Sequence, residues 1–276
     1  MSYDGYALSD YHIHPDFSID AEGTIDEHCR AALKVGLKEI CFTTHYDNDP
    51  GFDHRVRAIV IDGRPEPLTD KAIEKYITAV KAADDEFYSF GLAVRVGIEV
   101  GYFPGCEEDT ARFFDRHDFD YKLVGIHDID RACFCSRHEA ESCFAKYDID
   151  KFADRYFELA KAAAESGLFD SIAHLDCYRR FGLAYYGNEL LKIHEGRIEP
   201  VFEAMLKTGT GFEINTAAYR HDLDEFYPIM PIINMARSMG VAVRAIGSDA
   251  HKPEQVGQNL DMAAAVAYEL FPYTDE

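Results

Sequence analysis

The sequence is poor in positive charge and has no long apolar run. Its 28 lysines and arginines stand against 50 aspartates and glutamates, which gives a formal net charge of -22 at pH 7. A surface this acidic repels a nucleic-acid backbone, so we expect no nucleic-acid partner. No stretch is long and apolar enough to cross a membrane, so we expect no membrane partner either.

The chain also lacks the features of a secreted protein or a zinc finger. Residues 1–7 contain neither a basic run nor an apolar stretch, and we therefore expect no secretory segment. The seven cysteines are scattered, and no second pair lies at zinc-finger spacing from the close pair Cys133 and Cys135. Together these observations predict a cytoplasmic protein with free thiols.

Short apolar runs alternate with longer helical patterns along the chain. Several of the short runs are rich in β-branched residues, as buried parallel strands are. The predicted strands cover residues 8–12, 39–44, 94–99, 121–126, 171–174, 211–215 and 243–247. Seven repeated strand and helix units predict an α/β fold with a parallel sheet closed into a barrel. Because no interdomain linker is evident, residues 1–276 are predicted to form a single domain.

The predicted helices have readable ends. Thr24 and Glu27 form a capping box for a helix that stops near Gly36, and Thr69 caps a second helix. Further helices are predicted over residues 150–166, 188–208, 228–239 and 253–270. The connections 46–68 and 128–149 are long, which predicts lids or binding loops.

Histidines and carboxylates recur where the predicted strands end. They are His12, His14, Asp20, His45, Glu99, His127, His174, Asp249 and His251. Taken singly, each is an ordinary polar loop residue, but the carboxyl ends of barrel strands converge on one face, where active sites lie. Imidazoles and carboxylates without thiolates suit zinc, manganese or iron. The repetition therefore predicts a catalytic metal site.

The order of these motifs resembles the PHP superfamily (polymerase and histidinol phosphatase), and within it the histidinol-phosphate phosphatases. The motifs occupy residues 10–14, 42–45, 97–102, 124–127, 173–176, 213–216 and 247–251. The resemblance covers nearly the whole chain. In the second motif Thr44 stands before His45, where the family often has an acidic residue.

The resemblance implies a distorted seven-stranded (β/α)7 TIM-like barrel with two or three divalent ions, zinc, manganese or iron. It implies a first ion on His12, His14, Glu99 and Asp249. A second ion would share Glu99 and add His127 and His174, and a third would take Asp20, His45 and His251. Among these, Glu99, Asp249 and His251 are the expected catalytic residues.

The implied reaction is hydrolysis of L-histidinol phosphate, in histidine biosynthesis, by attack of a metal-bound hydroxide on phosphorus. The alternative is a PHP phosphoesterase for another small phosphate ester, such as a nucleotide or sugar phosphate. A non-catalytic metal-binding domain is disfavoured because no ligand is lost. A proofreading nuclease is disfavoured by the acidic charge and the lack of a polymerase region.

Three arginines are the predicted phosphate ligands. Arg179 and Arg180 follow the fifth strand and Arg220 the sixth, where the resemblance places phosphate-binding arginines. Arg220 and one of the neighbouring pair are favoured, and the rival hypothesis pairs Arg220 with Asp222 or Asp224. Acidic residues 107–109 are candidates for binding the substrate amine. His28 is predicted to be structural, whereas the histidines expected at the surface are His54, His117, His138, His194 and His221.

Overall fold

The structure is a computed structural model that describes residues 9–51 and 57–271. The strands are β1 (Ser9–Ile13), β2 (Glu39–Phe42), β3 (His45–Tyr46), β4 (Ala58–Ile61), β5 (Arg64–Pro67), β6 (Ala93–Gly101), β7 (Tyr121–Gly125), β8 (Asp128–Ile129), β9 (Ala132–Cys133), β10 (Ser171–Ile172), β11 (Gly211–Asn215) and β12 (Val243–Gly247). All seven predicted strands are present, with ends that differ from the predicted ones by at most two residues.

Seven parallel strands form a nearly closed barrel in the order β1-β2-β6-β7-β10-β11-β12. The circuit is completed beyond the strand ends, where the His14 N–H donates to the Ala250 carbonyl at 2.8 Å. The pairing of β1 with β2 is irregular between Asp10 and Ile13. The short strand β3 also pairs with β6, through His45 and Tyr46. The predicted distorted seven-stranded barrel is therefore confirmed.

The helices are α1 (Ile25–Val35), α2 (Asp70–Phe87), α3 (Glu107–Arg116), α4 (Ala140–Phe144), α5 (Ile149–Glu165), α6 (Arg179–Tyr186), α7 (Glu199–Thr208), α8 (Met230–Met239) and α9 (Leu260–Leu270). The capping box of α1 is formed as predicted, because the Thr24 hydroxyl accepts from the Glu27 N–H and the Glu27 carboxylate accepts from the Thr24 N–H. Helix α1 ends at Gly36, whose φ of 87° favours glycine. No helix in the described ranges is long and apolar enough to span a membrane.

Two helix predictions were wrong in extent. The span 188–208 is a 3-10 segment at Gly187–Lys192 followed by α7, and α6 was not predicted. Pro200 explains the break, because proline has no N–H and is suited to the first turn of a helix. The span 253–270 likewise divides, into a 3-10 turn at Pro253–Gln255 and α9.

The two long connections contain short hairpins. Strands β4 and β5 pair across Asp62 and Gly63, which both have positive φ, as a two-residue turn of type I′ requires. Strands β8 and β9 pair across Asp130 and Arg131, also with positive φ. Both connections lie at the carboxyl ends of the barrel strands, so they stand over the end predicted to carry the site.

Candidate metal centre

Glu99 lies at the centre of the polar cluster, on the interior face of β6. Its Oε2 lies 3.4 Å from His12 Nε2 and 3.5 Å from His14 Nε2, both on or just after β1. The same oxygen is 3.0 Å from His45 Nδ1 on β3. One carboxylate oxygen therefore faces three imidazoles that two other strands deliver.

The second oxygen of Glu99 faces the next two strands. Its Oε1 lies 3.3 Å from His127 Nε2, after β7, and 3.0 Å from His174 Nε2, after β10. These two imidazole nitrogens are 3.4 Å apart. Because Glu99 presents one oxygen to each group, it stands where a bridging carboxylate would stand.

The remaining predicted ligands close the other side of the cluster. Asp249 Oδ1 lies 3.3 Å from His14 Nε2 and 3.4 Å from His251 Nδ1. Asp20 Oδ2 lies 3.5 Å from His45 Nε2 and 3.3 Å from His251 Nε2. The structure therefore brings all nine residues that the sequence nominated into one continuous cluster.

Several atoms in this cluster are buried without a hydrogen bond: His12 Nε2, His14 Nε2, His45 Nδ1 and Glu99 Oε2. A buried polar atom without a partner costs free energy, so such atoms call for an explanation. Three sets of candidate ligand atoms lie within 4.8 Å of one another: His14, His45 and His251; His12, Glu99 and His174; and His12, His14 and Asp249. The donor types and their spacing fit metal ions.

The charges around the cluster favour cations. Burial alone would lower the pKa of His12, but the nearby carboxylates of Glu213, Asp249 and Glu99 raise it to about 10. Burial would raise the pKa of Glu99, yet the imidazoles of His12, His45 and His127 hold it well below its usual range. The cluster therefore attracts positive charge, and a metal ion that binds there must displace protons.

His14 differs from its neighbour. Burial, followed by repulsion from His251 and His45, lowers its pKa well below the usual value for histidine. A neutral imidazole keeps a free lone pair on nitrogen, and its Nε2 is among the atoms without a hydrogen bond. The Nε2 lone pair of His14 is therefore available to coordinate a metal cation.

The sequence analysis missed Glu213 as a supporting residue. This carboxylate on β11 is fully buried, and both of its oxygens lie 3.0 Å from His12 Nδ1. Its Oε1 also accepts from the His174 N–H at 2.8 Å and from Asn215 Nδ2 at 2.6 Å. Glu213 thereby turns Nε2 of His12 toward the cluster. The available signal was a charged residue in a short strand otherwise suited to burial.

Asp10, on the same strand as His12, is a second supporting carboxylate. Its fully buried carboxylate accepts from the Ser248 N–H at 2.8 Å, the Ser248 hydroxyl at 2.5 Å and the Gly257 N–H at 3.0 Å. These bonds join β1 to the loop that bears Asp249, and so they fix that carboxylate relative to His12.

A cavity of about 700 Å³ opens onto the cluster. The two long connections form much of its wall, with Asp47, Asn48 and Asp49 from one and Asp128, Asp130, Arg131, Cys133, Cys135, Ser136 and Glu139 from the other. The predicted role of these segments as binding loops agrees with this position. The wall is rich in carboxylates, whereas residues 107–109, the predicted partners of a substrate amine, lie in the first turn of α3 and do not line the cavity.

Arg180 lines the cavity, but Arg179 does not. The Arg179 side chain is buried against the carboxylate of Asp176, with Nε 2.7 Å from Oδ2, and it also donates to the Phe226 carbonyl. The structure therefore places Arg179 away from the cavity, because consecutive residues on a helix point in different directions. Of the pair, Arg180 is the one that faces the site.

The contacts of Arg220 do not match the rival hypothesis, which pairs this residue with Asp222 or Asp224. Its Nη2 donates to the Ser248 carbonyl at 2.6 Å and the Asp249 carbonyl at 2.8 Å. Within residues 9–51 and 57–271, no ion pair joins it to Asp222 or Asp224. Its Nη1 is buried and has no hydrogen bond. Arg220 therefore supports the Asp249 backbone and keeps one donor group free.

Some predictions for the histidines outside the cluster were wrong. His221 lines the cavity with Nδ1 3.1 Å from the Tyr227 hydroxyl, whereas a surface position was predicted. His117 and His194 are also buried and not at the surface; the imidazole of His117 lies between the carboxylates of Glu74 and Asp70. His28 is buried and structural as predicted, and His138 is exposed. His54 lies outside the described residues.

The barrel has seven parallel strands, and a cluster of histidines and carboxylates lies at their carboxyl ends. These two features together place the protein in the class of metallohydrolase-like barrels. The model of the PHP domain family matches residues 10–217. The chain belongs to this family.

Sequence relatives agree with this assignment, and a solved structure shares the fold. The chain is 29% identical to the "Probable histidinol-phosphatase" of Deinococcus radiodurans over 91% of this chain and 88% of that protein. It is 27% identical to the histidinol-phosphatase of Lactococcus lactis over 88% of this chain and 83% of that protein. The fold matches the crystal structure of the Lactococcus lactis histidinol phosphate phosphatase complexed with zinc, L-histidinol and phosphate. That match has a TM-score of 0.75 at 19% identity and covers 98% of this chain and 95% of the other.

Proposed function

We propose that this protein is a metal-dependent phosphomonoesterase that hydrolyses L-histidinol phosphate to L-histidinol and phosphate. The observation that carries the proposal is the buried cluster around Glu99, in which several nitrogen and oxygen atoms lack hydrogen bonds and which borders a cavity lined by Glu99 and His45. The names of the relatives, and the histidinol and phosphate bound by the Lactococcus lactis enzyme, support the choice of substrate.

We assign the ligands of two or three divalent ions as follows. His12, His14, Glu99 and Asp249 would hold the first ion; Glu99, His127 and His174 the second; and Asp20, His45 and His251 the third. Zinc is supported by the neighbouring structure, and manganese or iron suits the same donors. Such ions would activate a water molecule as nucleophile and neutralise the charge on the phosphoryl group.

The arginines would bind the phosphate. Arg180 lines the cavity; Arg220 does not line it, but its buried Nη1 has no hydrogen bond and lies beside the Asp249 loop. A guanidinium binds two phosphate oxygens in a fixed geometry, which positions the phosphorus for in-line attack. Because Arg220 also donates to the Asp249 carbonyl, it would link phosphate binding to the position of Asp249, a proposed metal ligand.

The acidic wall would bind the rest of the substrate. Histidinol carries an amine, which is cationic at neutral pH and is attracted by carboxylates. Asp47, Asp49, Asp128 and Glu139 line the cavity from the two long connections. They supply this negative charge in place of residues 107–109, which do not line the cavity. A nucleotide or a simple sugar phosphate has no amine that is cationic at neutral pH, so it is the weaker alternative.

The free thiols of all seven cysteines support a reducing compartment such as the cytoplasm. This location suits an enzyme of amino-acid biosynthesis.

Phosphate release from a panel of esters, with metal content measured on the same sample, tests the proposal. We expect histidinol phosphate to give the highest kcat/KM in the panel, and turnover to disappear after chelation and return on adding zinc or manganese. Full turnover in the chelated protein would refute the metal-dependent reaction. A sugar phosphate that outperforms histidinol phosphate would refute the choice of substrate alone.

A further inference from the structure

Two cysteine sulfurs from distant parts of the chain meet beside the metal centre. Cys135 Sγ lies 3.6 Å from Cys177 Sγ, although 42 residues separate them in sequence. Cys135 follows β9 in the 128–149 connection, and Cys177 lies in the loop that begins with His174. Both are free thiols. Among the seven cysteines, all of which lie in the described ranges, no other two sulfur atoms make such a contact.

Both thiols can be reached from the cavity. Cys135 and Cys177 line it, and Cys135 is partly exposed, whereas Cys177 is only 7% exposed. A small oxidant that enters the cavity can therefore reach this pair of residues. Cys133 also lines the cavity, so it is a natural comparison residue that lacks the sulfur contact.

We propose that Cys135 and Cys177 form a reversible disulfide that fastens the 128–149 connection to the loop carrying His174. The length of an S–S bond is about 2.05 Å, so the two sulfurs must approach by only about 1.5 Å. Such an adjustment is within the reach of side-chain rotation and small loop movements.

Hydrogen peroxide is a suitable oxidant for this step. One sulfur of the pair attacks a peroxide oxygen, the O–O bond breaks, and a sulfenic acid forms with release of one water molecule. The other sulfur then attacks the sulfenic sulfur, the S–O bond breaks, and a second water molecule leaves with the thiol proton. Two thiols and one peroxide thus give one disulfide and two waters. A dithiol reductant reverses the reaction by exchange.

The bond would reach the metal centre through the backbone. The Cys177 N–H donates to the His174 carbonyl at 2.8 Å, so a shift of Cys177 moves the loop that places the His174 imidazole next to Glu99. A displacement of a catalytic group by about 1 Å costs up to a hundredfold in rate, and oxidation should lower kcat by as much as about a hundredfold. This consequence rests on the proposed phosphatase function, whereas the formation of the bond does not.

The test oxidises the whole protein with peroxide and maps its peptides by mass spectrometry before and after dithiothreitol. We expect a cross-link between the Cys135 and Cys177 peptides in the wild type and in Cys133→Ser, and none in Cys135→Ser. A wild type whose Cys135 and Cys177 stay unlinked, or link to other cysteines, would overturn the proposal. Because Cys135 is partly exposed, its serine variant should fold, and circular dichroism checks this.

Turnover is measured on the same samples. A fall in kcat that dithiothreitol reverses in the wild type but that is absent in Cys135→Ser supports the regulatory consequence. A cross-link without any change in turnover overturns that consequence. If even the reduced wild type has no phosphatase activity, the proposed function fails, and the peptide map still decides whether the disulfide forms.

Discussion

The inner and outer parts of the metal centre differ in how they are held. The side chains of His12, His14 and Glu99 are fully buried and lie on or directly after barrel strands. Asp20 and His251 lie on loops, with side chains that are 53% and 26% exposed. A ligand fixed by strand hydrogen bonds and packing loses little further freedom on binding a metal, while a loop ligand loses more and competes with water. We call the two ions proposed to share Glu99 the inner ions, and the ion proposed for Asp20, His45 and His251 the outer ion. The comparison predicts that the inner ions are bound tightly and that the outer ion exchanges.

Replacing Glu99 by glutamine should have the largest effect. The substitution removes the charge that faces both groups of imidazoles, so it should deplete the two inner ions together. We expect turnover to fall by a factor on the order of a thousand or more. Metal analysis and kinetics measure both effects, with His45→Ala as the comparison. If His45→Ala lost more activity at matched metal content, the bridging role of Glu99 would be wrong.

His127→Ala should remove one inner ion and leave the others. Its imidazole is one of the two that contact Glu99 Oε1, and His174 alone with Glu99 makes an incomplete site. We expect turnover close to background and a metal content lower by one ion. His138→Ala, at an exposed histidine away from the cluster, is the matched control. Wild-type metal content in His127→Ala would contradict the assignment.

Glu213→Gln tests whether the buried support of the inner centre matters. An amide still fills the space but loses the charge that orients His12 and holds the His174 loop. Loss of such a support typically costs about 10- to 100-fold in metal affinity or activity. Competition with a chelator measures the affinity, and thermal unfolding of the metal-free protein separates it from general destabilisation. Unchanged affinity would show that Glu213 is only a packing residue.

Arg180 and Arg179 should respond in opposite ways to substitution. Arg180→Ala removes a charge-assisted contact worth roughly 1.5–3 kcal/mol, so kcat/KM should fall about 10- to 100-fold without loss of metal. Arg180→Lys should restore only part of it. If Arg180→Ala had wild-type kinetics, Arg180 would not be a phosphate ligand, and Arg220 would be the next residue to test.

Arg179→Ala should instead destabilise the protein, by about 1–3 kcal/mol, because it removes the ion-pair partner of the buried Asp176 carboxyl group. Urea unfolding at equal metal loading measures this loss. A stable Arg179→Ala protein with impaired substrate binding would reverse the assignment of the two arginines.

The smallest expected effect is a difference in acid sensitivity between the two parts. Metal binding requires deprotonated imidazoles, and the carboxylates that raise the pKa of His12 to about 10 make protons competitors for the centre. Binding should therefore weaken as the pH falls. On dialysis at stepwise lower pH, the exposed outer ion should leave before the inner ones. Simultaneous loss of all ions would remove the distinction between the two parts.

Much of the barrel and of the site was predictable because it depends on local patterns. Brief β-branched runs, capping residues such as Thr24 and Thr69, and glycines at helix ends predicted the seven strand and helix units. Failures came where local signals conflict. The break before α7 depended on Pro200, and α6 has no capping side chain. His117 and His194 look like surface residues until the fold buries them.

The nine clustered residues were predictable for a different reason. In a parallel barrel every strand ends on the same face, so residues that end successive strands must meet there. The sequence by itself therefore determined the family, the barrel and the set of candidate ligands. Their roles as ligands remain predictions to be tested by the substitutions above.

Only the tertiary structure decided which residues support and surround that set. Glu213 became a partner of His12 because β11 closes against β1 through β12, across 201 residues of sequence. The choice of Arg180 over Arg179 depended on which side of one helical turn faces the core. The meeting of Cys135 with Cys177 depended on how a long connection folds over the barrel. Strand-end positions follow from local pattern, but such contacts arise from packing between distant segments, which no local pattern encodes.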